Sequence, residues 1–117
     1  MNLVLVSTPI GHLGSGRGGG VELTISSLTK GLLKLGHEVI LLAPTGSVLP
    51  AGCEEAKILN FPGIEQPSWQ HQNASAPVVI PPDAVLLKLW EQALEIGKKA
   101  DAVLNFSYDW LPIWLTP

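Results

Sequence analysis

The chain has 117 residues, of which 46% are hydrophobic and 15% charged, and its formal net charge is −3. This composition excludes a disordered segment and is typical of one globular domain with a large core. The seven lysines and arginines are scattered along the chain, so no basic patch indicates a nucleic-acid partner.

Two features of the sequence bear on the compartment. The single cysteine, Cys53, has no internal disulfide partner, which favours a reducing compartment, and no acid–base pattern around it predicts a nucleophile. The amino-terminal residues lack the basic segment of a signal peptide, and no apolar run approaches the ~20 residues that span a bilayer. We therefore expect a cytoplasmic protein without a membrane span.

The first predicted element is a buried strand near residues 2–7, because Leu3–Val6 is a continuous apolar run rich in β-branched residues. A glycine-rich segment, Gly11–Glu22, follows it with the sequence GHLGSGRGGGVE. A helix is predicted from about Val21 to a left-handed cap at Gly36. Its apolar positions fit a broad buried face and are Val21, Leu23, Ile25, Leu28, Leu32, Leu33 and Leu35.

Three further strands are predicted near residues 38–43, 57–60 and 102–106, each a short apolar run. Residues 62–82 contain five prolines among polar residues and predict a long irregular loop. A second helix is predicted to begin at Pro82, which suits a first helical position.

This order of elements predicts an α/β fold, a Rossmann-like doubly wound parallel sheet. Ligands of such sheets bind outside the carboxyl ends of the strands, which is where the glycine-rich segment lies. The apolar segment at the end of the chain has no polar tail, so we expect residues 1–117 to be one domain cut from a larger protein.

The glycine cluster leaves a strand and enters a helix, and that position favours a ligand site. Glycine has no Cβ, so the backbone can approach a ligand closely, and the N–H groups of the first helical turn are free to bind an anion or an oxygen-rich group. Arg17 would add a charge-assisted contact.

Other glycine-rich loops must be weighed against this interpretation. Gly14–Gly19 matches the dinucleotide pattern G-x-G-x-x-G, but the loop is too long, and Ala43–Thr45 offers no acid for a ribose. A Walker loop is excluded because Gly20 is followed by Val-Glu instead of Lys-Ser or Lys-Thr. A flexible surface loop without a ligand stays open as an alternative.

The order strand, glycine loop, Gly19–Glu22, helix, Leu35–Val39 and a strand that ends in Ala-Pro resembles a known family. It is similar to the amino-terminal domain of GT-B fold retaining glycosyltransferases, the family 4-like group. The resemblance covers residues 1–46 strongly and 83–117 moderately. Residues 47–82 match nothing in that family.

The resemblance implies a two-domain enzyme in which this half shapes the acceptor pocket and an absent carboxyl-terminal half holds the nucleotide sugar. In such enzymes the glycine turn, here Gly18, Gly19 and Gly20, approaches the donor diphosphate or the transferred sugar. The narrower features of these segments imply glucose from UDP-glucose as donor and a pterin as acceptor. Retention of anomeric configuration is likewise implied by the family alone. No further cofactor is implied, and the catalytic residues would lie outside this half.

Acceptor-binding residues are predicted at the carboxyl ends of the strands. His12 and Arg17 lie within the glycine loop and are two of these acceptor-binding candidates. Asn105 stands near the position where the family often has a histidine, a departure that puts any histidine-assisted step in doubt. Asp109 would pair with the aminopyrimidinone edge of a pterin, and Tyr108 would stack on a flat acceptor. Trp69 and Trp110 are further stacking candidates.

The remaining histidines are interpreted as structural or unrelated to a ligand, His37 in the turn after the first helix and His71 in the proline-rich loop. No residues have metal-ligand spacing. Because the other half is absent, we expect exposed apolar surface around Trp110–Leu115, which would contact that half or be covered in a homodimer. The alternative from another class is a non-enzymatic domain that binds a phosphorylated small molecule, and less favoured is an NAD-binding domain.

Overall fold

The computed structural model describes residues 1–65 and 82–107. Its helices and strands, in chain order, are β1 (Asn2–Val6), α1 (Gly20–Lys34), β2 (Glu38–Pro44), β3 (Lys57–Phe61), α2 (Val85–Gly97) and β4 (Ala102–Asn105).

The four strands of the described residues form one sheet in which every neighbouring pair is parallel, in the order β3-β2-β1-β4. Val6, at the end of β1, lies opposite Leu42 of β2 on one side and Asn105 of β4 on the other. The α/β class and the Rossmann-like parallel sheet predicted from the sequence are therefore confirmed.

The alternation of side chains along β1 divides the core into two layers. Leu3 and Leu5 pack on one face of the sheet with the buried side of α1, including Ile25. Val4 and Val6 pack on the opposite face with α2. Because both faces of β1 are covered, the strand is apolar throughout its interior, as expected of a parallel sheet between helix layers.

The end of α1 is fixed by the glycine predicted to cap it. Gly36 has φ +84° and donates its N–H to the carbonyl of Leu33, and His37 donates to the carbonyl of Leu32. This pair of hydrogen bonds is a Schellman motif, which turns the chain directly into β2. His37 also contacts the amino group of Met1 through Nδ1 at 3.1 Å, so it has a structural place at the amino edge of the sheet.

Two details of the predicted helices are wrong. Leu23 and Leu35 are 72% and 75% exposed, because the buried side of α1 is a narrow stripe that includes Val21 and Ile25. The second helix begins at Val85 instead of Pro82, since Ile64 accepts a hydrogen bond from the amide of Val85 and keeps the preceding residues non-helical.

Neither helix of the described residues is long and apolar enough to cross a membrane. Of the loop predicted over residues 62–82, residues 66–81 lie outside the described residues.

Truncation of Leu5 tests the two-layer core. Leu5 is fully buried, so we expect Leu5→Ala to lower the free energy of unfolding by about 3 kcal/mol through lost burial and an unfilled cavity. The exposed Leu23 is the matched control, and Leu23→Ala should change stability by no more than about 0.5 kcal/mol. Urea unfolding followed by circular dichroism measures both, and equal losses would contradict the assigned layers.

Candidate functional site

The direction in which strands are added reverses between β1 and β4. The chain leaves β1 to build β2 and β3 on one side, whereas β4 is added on the other side. This reversal is the topological switch point at which α/β sheets bind ligands. The glycine loop, residues 7–19, follows β1 there, and the amide of Phe106 after β4 donates to the carbonyl of Val6 at 2.9 Å.

At two positions of the glycine loop, the backbone conformation requires glycine. Gly16 and Gly19 have φ +79° and +59°, where residues with a Cβ are strained. A Cβ at either position would meet no atom within 4 Å, so backbone conformation and not crowding accounts for glycine there.

The middle of the loop is attached to the connection between β2 and β3. The amide of the buried Leu13 donates to Ser47 Oγ at 2.8 Å, and its carbonyl accepts from the amide of Val48 at 3.2 Å. Leu13 is 2% exposed and belongs to the α1 layer of the core. These contacts weigh against the interpretation of the loop as a flexible linker.

Glu22 of α1 organises the end of the loop. One carboxylate oxygen accepts from the amide of Gly14 at 2.6 Å, and the other accepts from the amide of Gly18 at 2.9 Å. A carboxylate in the first turn that reaches back to preceding amides acts as in a capping box and suits the helix dipole. Sequence reasoning recognised the dipole contribution but missed the two loop amides, although the spacing from the helix start carries that signal.

The three predicted phosphate-binding glycines differ in what surrounds them. The amide of Gly18 is used by Glu22, and a Cβ on Gly18 would lie 2.8 Å from Glu22 Cγ. Gly19 and Gly20 are exposed, and a Cβ on either would meet nothing within 4 Å. Among the described residues, the amides of Gly20 and Glu22 have no hydrogen-bond acceptor, as expected for the first turn of a helix. The open face of the loop is therefore the turn at Gly19–Gly20.

Arg17 and His12 both lie in the loop, and the side chain of each lies close to a residue outside it. Arg17 makes an ion pair with Glu65, with side chains that are 59% and 26% exposed. The ring of His12 is half-buried, and its Cγ lies 3.6 Å from the position of a Cβ on Gly46. Both side chains are at the carboxyl edge of the sheet.

At the end of β4, the side-chain oxygen of Asn105 is used in local hydrogen bonds. Asn105 Oδ1 accepts from the amide and the hydroxyl of Ser107 at 2.7 and 2.6 Å. Asn105 is exposed beside the end of β1, so the NH2 group of its side chain is the part left for a ligand. Four predicted contact residues lie outside the described residues: Tyr108, Asp109, Trp110 and Trp69. His71, which was not expected to touch a ligand, lies outside them as well.

A buried hydroxyl at the switch point was not predicted from the sequence. Ser7 directly follows β1, is 1% exposed, and its Oγ has no hydrogen-bond partner among the described residues. The neighbouring Thr8 is equally buried, but its Oγ1 accepts from the amide of Ile10 at 3.1 Å. A serine after a strand carries no signal of burial, because the same residue type is common in exposed turns.

Cys53 has a structural position. Its Sγ lies 3.7 Å from the carbonyl oxygen of Ser26, and burial raises the pKa of the thiol above its ordinary value. A neutral buried thiol is a poor nucleophile, in agreement with the interpretation from the sequence. Within residues 1–65 and 82–107, no group of three histidine, cysteine or acidic residues is arranged to hold a metal ion.

Removal of the Glu22 carboxylate tests its part in the loop. Glu22→Ala should lower the free energy of unfolding by about 1–2 kcal/mol and speed amide hydrogen exchange at Gly14 and Gly18, because both N–H groups lose a charged acceptor. Glu91→Ala, in an exposed pair with Lys88 on α2, is the control and should leave both amides unchanged. Unaltered exchange at Gly14 and Gly18 in Glu22→Ala would refute this assignment.

Comparison of the chain with protein-family models and with curated proteins finds no match.

Proposed function

We propose that this chain is the amino-terminal, acceptor-side domain of a retaining GT-B fold glycosyltransferase. One observation carries the proposal: at the switch point, the Gly19–Gly20 turn is open, and the first-turn amides of Gly20 and Glu22 have no acceptor among the described residues. Free amides at a helix start bind phosphate and sugar oxygens, and the open turn lets such a group approach the backbone.

Gly20 leaves the start of α1 open to a ligand. Its φ is not positive, and a Cβ would meet nothing within 4 Å. Alanine would favour the helix by up to ~1 kcal/mol. Gly31 has the same open surroundings in the middle of α1, so what sets Gly20 apart is its place in the first turn, where a ligand would reach the free amides. In the family that the sequence resembles, this turn faces the donor diphosphate or the transferred sugar.

The chemistry of the loop suits positioning and not proton transfer. Main-chain amides donate to oxygen without changing protonation, and the carboxylate of Glu22 is already bound by Gly14 and Gly18. Acceptor contacts in this proposal come from the loop, from the end of β4 and from the segment after it, with His12, Arg17, Asn105, Tyr108 and Asp109 as candidates. The acids that hold the ribose and the sugar would be supplied by a second domain.

The donor and acceptor are proposed from the narrower resemblance. The segments Val6–Pro9, Gly14–Thr24 and Tyr108–Pro112 are similar to those of UDP-glucose:tetrahydrobiopterin glucosyltransferase. The test is an assay of the complete gene product with UDP-glucose and a panel of reduced pterins. Formation of a glucosylated pterin with the α-configuration of the donor supports the proposal, and absence of transfer to every acceptor, with the protein folded, contradicts it.

A non-enzymatic domain that binds a phosphorylated small molecule is the second candidate, because the same open amides would serve it. A dinucleotide-binding domain is less favoured. The ribose acid of such domains follows the second strand, and here that strand ends in the buried Ala43 and Pro44, followed by Thr45. Titration of the chain with NADH, followed by fluorescence, separates the dinucleotide candidate from the others.

Gly20→Ala separates ligand binding from stability. The substitution should leave the free energy of unfolding of this chain unchanged or raise it. In the complete gene product it should weaken UDP-glucose turnover at least tenfold, because the added methyl group fills the approach to the turn. Gly31→Ala is the matched control, since Gly31 lies in the same helix with nothing within 4 Å of its Cβ position. It should stabilise the protein and leave turnover at the wild-type value. Equal turnover in the two variants would count against a ligand at Gly20.

A further inference from the structure

The ion pair between Arg17 and Glu65 joins the glycine loop to a different part of the carboxyl edge. Arg17 is the only lysine or arginine before Lys30, so it is the only formal cation that the loop can offer an anion. Glu65 follows β3 and is the less exposed partner, at 26% against 59%. The loop's cation is thereby neutralised by a carboxylate from outside the loop.

The position of Glu65 is fixed by the backbone around it. The amide of Ile64 donates to the carbonyl of Asp83, and the amide of Val85 donates to the carbonyl of Ile64, each at 2.9 Å. These bonds attach the segment that carries Glu65 to the start of α2. A Cβ on Gly63 would lie 2.6 Å from the backbone of Val85, so the two segments are in close contact.

The path of Arg17 is also shaped by the loop. Its Nε lies 3.0 Å, and its Cβ 2.9 Å, from the position that a Cβ on Gly11 would occupy. Gly11 is buried with φ +74°, so the arginine side chain lies across a glycine that leaves room for it. Two features therefore direct Arg17 toward Glu65. Gly11 leaves room for the arginine side chain, and backbone hydrogen bonds fix the segment that carries Glu65.

We propose that Arg17–Glu65 is a latch that competes with a phosphate-bearing ligand for the loop's cation. This inference rests on the proposed function of the loop. A diphosphate oxygen at the Gly19–Gly20 turn would draw Arg17 from Glu65, because a guanidinium binds phosphate through paired N–H groups. Glu65 then sets the affinity of the site for anions, and release of Arg17 uncouples the glycine loop from the start of α2.

The test is calorimetric titration of the 117-residue chain with inorganic pyrophosphate at low ionic strength, where ion pairs between exposed groups are least screened. Glu65→Gln removes the competing charge and should lower the dissociation constant about two- to fivefold, the range expected for an exposed ion pair. Glu55→Gln is the matched control, because Glu55 is exposed, carries the same charge and makes no ion pair with any described residue. Its dissociation constant should stay near that of the wild type.

The gain should also depend on Arg17. In the Arg17→Gln background, Glu65→Gln should give no tightening beyond that of Glu55→Gln. Equal affinities of Glu65→Gln and Glu55→Gln in the presence of Arg17, or a gain that persists without Arg17, would overturn the latch and leave anion binding by the loop intact. Failure of every variant and of the wild type to bind pyrophosphate would overturn the latch together with the anion-binding role on which it rests.

Discussion

Burial of β1 on both faces is the constraint on which the rest of the described structure depends. Leu5 and Val6 have no exposed surface, because α1 covers one face of the sheet and α2 the other. A strand buried in this way pairs with parallel neighbours on both edges, here β2 and β4. The chain continues from the carboxyl end of β1, which lies at the switch point. The glycine loop therefore begins at the edge of the sheet where α/β folds bind ligands.

The loop is packed against α1 over part of its length and exposes its backbone in another part. It must return from the end of β1 to the start of α1, and it does so through left-handed glycines and the carboxylate of Glu22, which ties the amides of Gly14 and Gly18 to the helix. That arrangement uses two loop amides and leaves those of Gly20 and Glu22 without an acceptor among the described residues. Glu22 thus holds the part of the loop from Gly14 to Gly18, and the turn at Gly19–Gly20 is the part left open.

The sequence was sufficient for the architecture because each element carries a strong local signal. The apolar runs of β1 and β2 and the cap at Gly36 were predicted correctly, since burial on both faces and a left-handed residue leave clear patterns. Leu23 was misassigned to the buried face because leucine at helical spacing looks the same whether or not a neighbouring layer reaches it. The start of α2 was misplaced because the hydrogen bonds of Ile64 are long-range and leave no local pattern.

For the site, the sequence indicated the open turn at Gly19–Gly20 but not the partners of the charged residues around it. Pairing of Arg17 with Glu65 joins residues far apart in the chain, and it follows from the folded sheet alone. The central claim is that the first-turn amides of α1 bind a ligand at the switch point. Titration of the ¹⁵N-labelled chain with inorganic pyrophosphate, the anion that these amides would bind without a second domain, tests it most directly. The account predicts saturable chemical-shift changes centred on the amides of Gly19, Gly20 and Glu22, and shifts confined to other parts of the chain, or none at saturation, would contradict it.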